Sequence, residues 1–352
     1  MKFKLGSKII TNFSQPYFIA EIGVNYENDI NRAKKIIKLA KEGGADAVKF
    51  QSYKAETIAC KASPYYWDLK EVPIKSQFQL FKKFDKFGFK EFKILKNYCD
   101  KIKIDFLSTP FDLDAVDYLD GLVPFFKVAS ADINNFPLIK RICLKNKPIV
   151  ISTGATTFNE IQKTVSFIKK LNKNIKIIIL HCVLSYPTKN KDAHLEWIKF
   201  LSKNFKTNVI GYSDHTLPDN TMMILTSAYL NGAQVIEKHF SDVKGKKGND
   251  HFHSLNKDDL LIFRNNIDIL KKINGQKKVR NVLKCEIKSK LNARRSIVTN
   301  KMIKKGEMFT ESNIIMKRPG TGIPPQKIFK VLGKKAKRNL NEDQILKLSD
   351  IK

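Results

Sequence analysis

Short β-branched or aromatic runs alternate with longer amphipathic segments through the first three quarters of the chain. At residues 30–43, Ile30, Ala33, Ile37 and Ala40 recur at the spacing of one helical face, which predicts a helix. The apolar runs predict eight strands, at residues 17–25, 47–52, 105–111, 125–130, 148–154, 177–183, 208–216 and 235–241. Further helices are predicted at residues 86–99, 136–146, 158–171, 193–204, 219–232 and 257–273.

This alternation predicts an α/β fold in which residues 1–275 form a closed (β/α)8 TIM barrel. Eight strands, each followed by a helix, over about 275 residues match the size of that barrel. A doubly wound open sheet would need fewer strands and a G-x-G-x-x-G fingerprint after the first strand, and that fingerprint is absent there.

Three segments depart from the alternation. Residues 54–85, between the second strand and its helix, are rich in aromatic residues and lysine, which predicts a lid or a wall for the substrate. Residues 276–291 are basic and polar and are predicted to be a linker. Residues 292–352 show short β-like runs and turns, which predict a small, mostly-β second domain that packs on another surface.

Composition narrows the class of protein. The hydrophobic content of 42% indicates a globular chain. We expect no membrane helix, because no run approaches about 18 apolar residues, and no signal peptide, because the amino terminus lacks an apolar h-region. The five scattered cysteines show no C-x-x-C spacing, which favours reduced thiols and a cytoplasmic protein.

The formal net charge of +31 raises the possibility of nucleic-acid binding. Binding to phosphate backbones normally uses basic residues clustered on one face, whereas these lysines are spread through every predicted helix. Codon bias in an AT-rich genome explains the composition, so we expect no nucleic-acid partner. The positive field should instead attract a small anionic substrate.

Polar residues gather where the predicted strands end. In a barrel these ends share one rim, where active sites lie. Lys49 and Lys127 stand within apolar strands, where an unpaired ammonium is costly, so a bound anion is expected beside them. Hydroxyl groups at adjacent strand ends could supply further donors to a phosphate. The rim set also includes Glu21, Asn25, Gln51, Ser108, Thr109, Ser130, Ser152, Thr153, Tyr186, Ser213, Asp214, His215, Glu237 and His239.

His215 and His239 end neighbouring predicted strands, so their rings could share one divalent cation such as manganese. The alternative is that His215 caps the following helix and His239 packs beneath the rim. Asp250, His251 and His253 follow the eighth strand and could bind substrate hydroxyls, unless that loop is merely solvated.

Ten ordered motifs resemble the sialic acid (nonulosonic acid) synthase family, which includes N-acetylneuraminate, legionaminate and pseudaminate synthases. They are AEIGVN (20–25), VKFQ (48–51), STPF (108–111), KVAS (127–130), STG (152–154), HCVLSYPT (181–188), GYSDHT (211–216), EKHF (237–240), GNDHFHS (248–254) and KRPGTGI (317–323). The resemblance spans nearly the whole chain. It implies a (β/α)8 barrel followed by a SAF domain, similar to type III antifreeze protein, over residues 292–352.

The resemblance also implies specific roles. Phosphoenolpyruvate would be bound by Lys49, Thr109, Lys127, Ser130, Ser152 and Ser213. His215 and His239 would ligate Mn²⁺, with Mg²⁺ or Co²⁺ as other candidates, and Gln51, Tyr186 and Asp250 would contact an N-acyl hexosamine. Arg318 would reach the active site of the other subunit and hold the acyl-amino group, which makes a domain-swapped homodimer the expected state.

The implied reaction joins phosphoenolpyruvate, an N-acyl hexosamine and water into a nine-carbon 2-keto-3-deoxy sugar acid, releasing phosphate by C–O cleavage. Lys49, Lys127 and Glu21 would be catalytic, with Glu21 handling the proton of the water. The alternative for Glu21 is that it pairs with Lys49 and only orients it.

Two departures from the family pattern leave the sugar open. Leu184 stands where neuraminate synthases carry an asparagine, and the sequence NYEN at 25–28 replaces the usual Asn-His-x-Gly. Two rival enzymes also remain. One is a pyruvate aldolase that forms a Schiff base on Lys127, and the other is a synthase of shorter keto-deoxy sugar acids, against which the SAF domain and Arg318 argue.

Overall fold

The computed structural model describes residues 2–11, 14–248, 250–275 and 281–352. Their contacts divide into two units, Met1–Gly275 and Gln276–Lys352. Of the linker predicted at 276–291, residues 276–280 lie outside the described residues, and the helix α11 (Ile287–Ala293) of the second unit covers part of the remainder.

Eight parallel strands form one sheet in the first unit. They are β3 (Tyr17–Gly23), β4 (Ala47–Ser52), β5 (Asp105–Pro110), β6 (Phe126–Val128), β7 (Ile149–Ser152), β8 (Ile177–Cys182), β9 (Val209–Asp214) and β10 (Val235–His239). Their order in the sheet is β5-β4-β3-β10-β9-β8-β7-β6. The strands at the two ends of this order, β5 and β6, also lie side by side, so the sheet is a nearly closed barrel. The predicted fold, a TIM-like α/β barrel, is confirmed.

Helices of this unit follow the strands along the chain. They are α1 (Ile30–Glu42), α2 (Ala55–Ile58), α3 (Gln77–Phe84), α4 (Phe89–Ile102), α5 (Leu113–Leu119), α6 (Phe136–Cys143), α7 (Phe158–Leu171), α8 (Glu196–Asn204), α9 (Met223–Leu230) and α10 (Lys257–Asn274). The sequence analysis gave no range for α5, although Asp112 caps it by accepting a hydrogen bond from the backbone N–H of Ala115.

Period-two alternation along the strands decides which side chains enter the barrel. On β4, Phe50 points outward and packs on Phe92 of α4, with ring centroids 6.1 Å apart. Lys49 therefore points into the barrel. On β10, Lys238 points outward and its Nζ donates to Asp214 at 2.6 Å, while its neighbours Glu237 and His239 point inward.

An antiparallel hairpin precedes the barrel, formed by β1 (Lys2–Leu5) and β2 (Lys8–Thr11). Leu5 and Ile10 are buried, and the backbone N–H of Ser7 donates to the carboxylate of Asp105, the first residue of β5, at 2.8 Å. The hairpin therefore lies at the amino-terminal ends of the barrel strands, away from the rim that carries the polar residues.

The second unit contains the antiparallel strands β11 (Ser296–Thr299) and β12 (Ile314–Lys317). Isolated bridges such as Val298 to Ile345 and Ile303 to Leu340 extend this β structure. Its own small apolar core includes Ile297, Ile303, Phe309, Leu340 and Leu346. In either unit, none of the described helices has the length and apolar character needed to cross a membrane.

Candidate active site

The carboxyl-terminal ends of the barrel strands surround a cavity of about 430 Å³. Most of the residues predicted for the site line this cavity: Glu21, Lys49, Gln51, Thr109, Lys127, Ser130, Ser152, Tyr186, Ser213, His215 and His239. Asp250 lines a smaller cavity that shares Gln51, Tyr186 and His239 with the larger one. Arg318 belongs to the second unit, directly after β12.

Lys49 and Lys127 are 4% and 3% exposed, so both ammonium groups lie inside the barrel. The Nζ of Lys49 contacts Glu21 and donates to Oγ1 of Thr109 at 3.1 Å. The Nζ of Lys127 donates to Oγ of Ser152 at 2.7 Å. The lysines and hydroxyls that the sequence placed on four different strands therefore meet in one cavity.

Glu237 on β10 is a member of this cluster to which the sequence analysis gave no role. Its Oε1 lies 3.8 Å from Nζ of Lys49 and 3.7 Å from Nζ of Lys127, and accepts from Oγ of Ser213 at 3.1 Å. Because strand side chains alternate, the EKHF motif already implied that Glu237 and His239 share a face.

Burial and the opposed charges set the protonation of this cluster. Burial raises the pKa of Glu21 to about 7, against the opposing effect of the Lys49 ammonium. Burial lowers the pKa of Lys127. Burial would also lower the pKa of Lys49, but the charges of Glu21 and Glu237 outweigh it and raise that pKa. Glu21 is therefore suited to exchange a proton near neutral pH.

The hydroxyl of Ser130 is held in place by the loop that directly follows β7. Ser130 begins a short 3₁₀ turn, and its Oγ accepts from the backbone N–H of Gly154 at 2.9 Å. A Cβ on Gly154 would lie 2.9 Å from that Oγ and 2.9 Å from the backbone nitrogen of Leu184. Only glycine allows these three segments to meet.

His215 is oriented by its neighbours. Its Nδ1–H donates to the carbonyl oxygen of Val183 at 2.8 Å, which leaves Nε2 as the nitrogen available to a ligand. The ring of Tyr186 lies over it, with centroids 4.2 Å apart. The rings of His215 and His239 are 5.6 Å apart between centroids, so the two predicted metal ligands face the same cavity.

A third histidine, His253, completes a cluster that could hold a metal ion. One ligand atom from each of His239, Asp250 and His253 lies within 4.8 Å of the others. Nδ1 of His239 and both ring nitrogens of His253 are buried without a hydrogen-bond partner in the part of the chain that the structure describes. Burial lowers the pKa of both rings well below its usual range, and the neutral ring is the form that binds metals. The residues present therefore fit a divalent cation.

The aromatic segment at 54–85 forms a wall beside this cluster. Tyr66, Trp67 and Phe81 from that segment line the smaller cavity, of about 110 Å³, together with Phe252. Asp250 lines the same cavity, and burial raises its pKa to about 6. The smaller cavity thus presents aromatic surface on one side and a carboxyl group and His239 on the other.

A (β/α)8 barrel with buried lysines, hydroxyls and a possible metal site at its carboxyl-terminal rim has the architecture of a barrel enzyme. The chain belongs to the NeuB family, whose sequence model matches residues 36–279, and a SAF domain model matches residues 294–352. The predicted family, the predicted SAF domain and the prediction of an enzyme of this type are confirmed.

Named relatives cover almost all of the chain. It is 39% identical to the N,N'-diacetyllegionaminic acid synthase of Campylobacter jejuni, over 94% of this chain and 98% of that protein. It is 32% identical to the human N-acetylneuraminate-9-phosphate synthase, over 94% of this chain and 91% of that protein.

A solved structure shows the same fold. The crystal structure of the N-acetylneuraminic acid synthetase of Leptospira borgpetersenii in complex with citrate has a TM-score of 0.71 and 31% identity. The match covers 82% of this chain and 95% of that one.

Proposed function

We propose that this protein condenses phosphoenolpyruvate, an N-acylated hexosamine and water into a nine-carbon 2-keto-3-deoxy sugar acid and inorganic phosphate. The sugar would be N-acetylmannosamine or a 2,4-diacetamido relative. The observation that carries the proposal is the meeting of Lys49 and Lys127, both buried, with several hydroxyls in one cavity beside a histidine cluster.

Phosphoenolpyruvate would bind through its phosphate and carboxylate groups. Lys49 and Lys127 are charge partners for these anions, and Thr109, Ser130, Ser152 and Ser213 supply hydroxyl donors around the same cavity. Glu21 and Glu237 are the partners of the lysines in the free protein. An incoming anion would take the place of these carboxylates beside the two ammonium groups, which leaves Glu21 free to act as a proton acceptor.

The acyl-hexosamine would occupy the side of the cavity that carries Gln51, Tyr186 and Asp250. The aromatic surface of Tyr66, Trp67 and Phe252 next to them suits an apolar acyl substituent. A divalent ion, with Mn²⁺ as the candidate, would when bound among these histidines polarise the aldehyde oxygen of the open-chain sugar.

The proposed reaction forms one C–C bond and breaks one C–O bond. C3 of phosphoenolpyruvate would form a bond to the aldehyde carbon. Water would add to C2, and Glu21 would take one proton of this water and pass it to the former aldehyde oxygen, which becomes a hydroxyl of the product, while Lys49 stays paired with the substrate anion. The bond from C2 to the bridging oxygen would then break, so phosphate leaves with that oxygen and with the second proton of the water, and C2 becomes a keto group.

Arg318 would complete the site from a partner subunit. Within the described residues of its unit, its guanidinium makes no hydrogen bond or ion pair, so its donors are available to a ligand. A planar guanidinium suits recognition of an acyl-amide oxygen. We therefore propose a domain-swapped homodimer in which each SAF domain supplies Arg318 to the other barrel.

The test is phosphate release from phosphoenolpyruvate with Mn²⁺ against several N-acyl mannosamines and 2,4-diacetamido sugars. We expect release that depends on both the sugar and the metal. A matched control uses phosphorylated pentose and tetrose sugars, and release with those alone would instead favour the shorter-chain synthase. No release with any sugar would contradict the proposal.

One observation favours a second candidate, a Schiff-base pyruvate aldolase. Burial lowers the pKa of Lys127, and a neutral amine is the nucleophile that such an enzyme needs. Borohydride treatment with pyruvate and a chelator separates the two functions. The synthase should show no covalent adduct, whereas reductive trapping of pyruvate on Lys127 would establish the aldolase.

A further inference from the structure

His253 is a buried histidine whose ring is not fixed by a hydrogen bond to any of the described residues. It ends the 3₁₀ turn His251–His253 and is 0% exposed. Neither of its ring nitrogens finds a hydrogen-bond partner in the described chain. Leaving a polar ring unpartnered inside a protein is energetically costly, so a position of this kind calls for a ligand.

The neighbouring histidine in the same turn behaves differently. His251 is also 0% exposed, yet its Nδ1 pairs with Oγ of Ser241 at 2.6 Å and its Nε2 with Oε1 of Glu27 at 3.2 Å. The fold therefore satisfies one imidazole of this turn completely. The other, His253, packs against His239 with both ring nitrogens unused.

The unused nitrogens of His253 lie beside other unused donor atoms. The rings of His253 and His239 are 4.6 Å apart between centroids. Nδ1 of His239 is likewise without a hydrogen-bond partner and lies 3.4 Å from Oδ2 of Asp250. Donor atoms on one ion with bonds of about 2.0–2.2 Å stand roughly 3–4 Å apart, so the separations of up to 4.8 Å here need only small ring movements.

We propose that His253 is a direct ligand of the metal ion, together with His239 and Asp250. His215, whose ring centroid lies 6.2 Å from that of His253, stands across from them and would add a third imidazole. The inference rests on the proposed function only for the presence of a metal. It extends the metal set beyond the pair His215 and His239 that the sequence predicts.

A set of two or three imidazoles and one carboxylate has a chemical consequence. Imidazole nitrogen favours Co²⁺, Ni²⁺ and Zn²⁺ over Mg²⁺, which prefers oxygen ligands. The metal-free protein should therefore bind Co²⁺ tightly before any substrate is present, and Mg²⁺ should compete poorly.

The test is titration of Co²⁺ into metal-free protein without substrates, followed by calorimetry and by the visible spectrum of the bound ion. His253→Phe keeps a flat ring for packing but removes the nitrogens, and His253→Gln is a second, smaller change. We expect each to raise the Kd for Co²⁺ at least about tenfold and to alter the spectrum. The matched control His251→Gln, in the same turn, should change neither.

The opposing interpretation is that His253 serves only aromatic packing, since Phe252 and Tyr186 lie 4.5 and 5.5 Å from its ring centroid. Wild-type affinity and spectrum in His253→Phe would establish packing and overturn the metal assignment. If both variants fail to fold, the NMR spectrum of the wild-type Co²⁺ protein decides. An ion-shifted ring signal assigned to His253 supports the proposal, and ion-shifted signals confined to His215 and His239 overturn it.

These measurements use no substrate, so they separate this inference from the proposed function. Metal binding through His253 without phosphate release would refute the function alone. Phosphate release that persists with unchanged metal affinity in His253→Phe would refute this inference alone.

Discussion

At the scale of single residues, the proposed chemistry depends on ionisable side chains that are almost completely buried. Glu21 is 2% exposed, contacts the ammonium of Lys49, and accepts from Nε2 of Gln51 at 3.2 Å. Burial raises its pKa while these contacts oppose the rise. The result is a carboxyl group that can be ionised or neutral near pH 7, as a proton acceptor requires.

The role of Glu21 predicts a pH profile. A base must be ionised, so kcat/KM for phosphoenolpyruvate should be fully present above the pKa of about 7 and should fall as pH drops through it, because kcat/KM reports groups of the free enzyme. Glu21→Gln should remove this acidic limb and lower kcat/KM by roughly 10²–10⁴-fold. The measurement is kcat/KM for phosphoenolpyruvate against pH.

The matched control for this profile is Glu237→Gln. The charges of Lys127 and Lys49 outweigh the effect of burial at Glu237 and hold its pKa below its usual value. This variant should therefore keep the acidic limb, moved to lower pH because the Glu237 charge contributes to the raised pKa of Glu21. If Glu21→Gln keeps the limb as well, Glu21 only orients Lys49 and another group handles the proton.

The sequence identifies the buried lysines and the histidine pair, because charged residues at the ends of apolar strands are conspicuous. It gives no role to Glu237, because a single carboxylate on a strand does not reveal that two lysines from other strands approach it. It also leaves His253 as a loop residue, because only the path of the chain after β10 brings that ring to His239.

At the scale of elements, the end of β3 shows how backbone conformation serves the site. Gly23 has a φ of +54°, in the left-handed region that side chains disfavour. A Cβ there would lie 3.2 Å from Oδ2 of Asp250, 3.3 Å from Nε2 of Gln51 and 3.5 Å from Oε1 of Glu21. Three predicted site residues therefore converge on the space that this glycine leaves free.

Gly23→Ala should consequently harm both stability and activity. The left-handed backbone alone should cost about 1–2 kcal/mol of the free energy of unfolding. Displacement of the crowded side chains should lower kcat/KM by at least roughly tenfold. Urea denaturation and steady-state kinetics measure the two effects.

Gly121→Ala is the matched control, because a Cβ at Gly121 meets no atom within 4 Å. It should change the free energy of unfolding by less than about 0.5 kcal/mol. If Gly23→Ala and Gly121→Ala changed the free energy of unfolding and kcat/KM equally, the side chains around Gly23 would not require a glycine there.

The elements themselves were predictable to different degrees. Each barrel strand lies within its predicted range, because apolar runs mark buried parallel strands clearly. Several predicted ranges extend beyond the carboxyl-terminal end of the observed strand, because polar rim residues follow the strand there without being part of it. The hairpin β1–β2 and the short helix α5 received no prediction, because four- and seven-residue elements carry little periodic signal.

At the scale of the whole molecule, the net charge of +31 should influence encounters with an anionic substrate. We expect kcat/KM for phosphoenolpyruvate to fall severalfold as salt rises from about 0.02 to about 0.3 M, while kcat changes little. Stopped-flow or steady-state rates at constant metal activity measure this. A kcat/KM that is unchanged or increases with salt would exclude electrostatic steering.

The proposed exchange of Arg318 between subunits predicts complementation. Arg318→Ala and Lys127→Met should each be nearly inactive alone. In a mixed dimer, the barrel of the Arg318→Ala chain would receive Arg318 from the Lys127→Met chain, so one of its two sites would be complete. Random mixing makes about half of the dimers mixed, so about a quarter of wild-type activity should return. Denaturation and refolding together, followed by an activity assay, tests this. Absence of recovery, with dimers present by light scattering, would place Arg318 in its own subunit's site.

The central claim is that phosphoenolpyruvate is condensed with cleavage of its C–O bond, and an isotope label tests it most directly. Phosphoenolpyruvate that carries ¹⁸O between C2 and phosphorus is incubated with the protein, the divalent metal and an accepted N-acyl hexosamine. The masses of the products are then measured by mass spectrometry. The account predicts that the label appears in inorganic phosphate. Label retained in the sugar acid, or formation of the sugar acid from pyruvate without phosphate release, would contradict it.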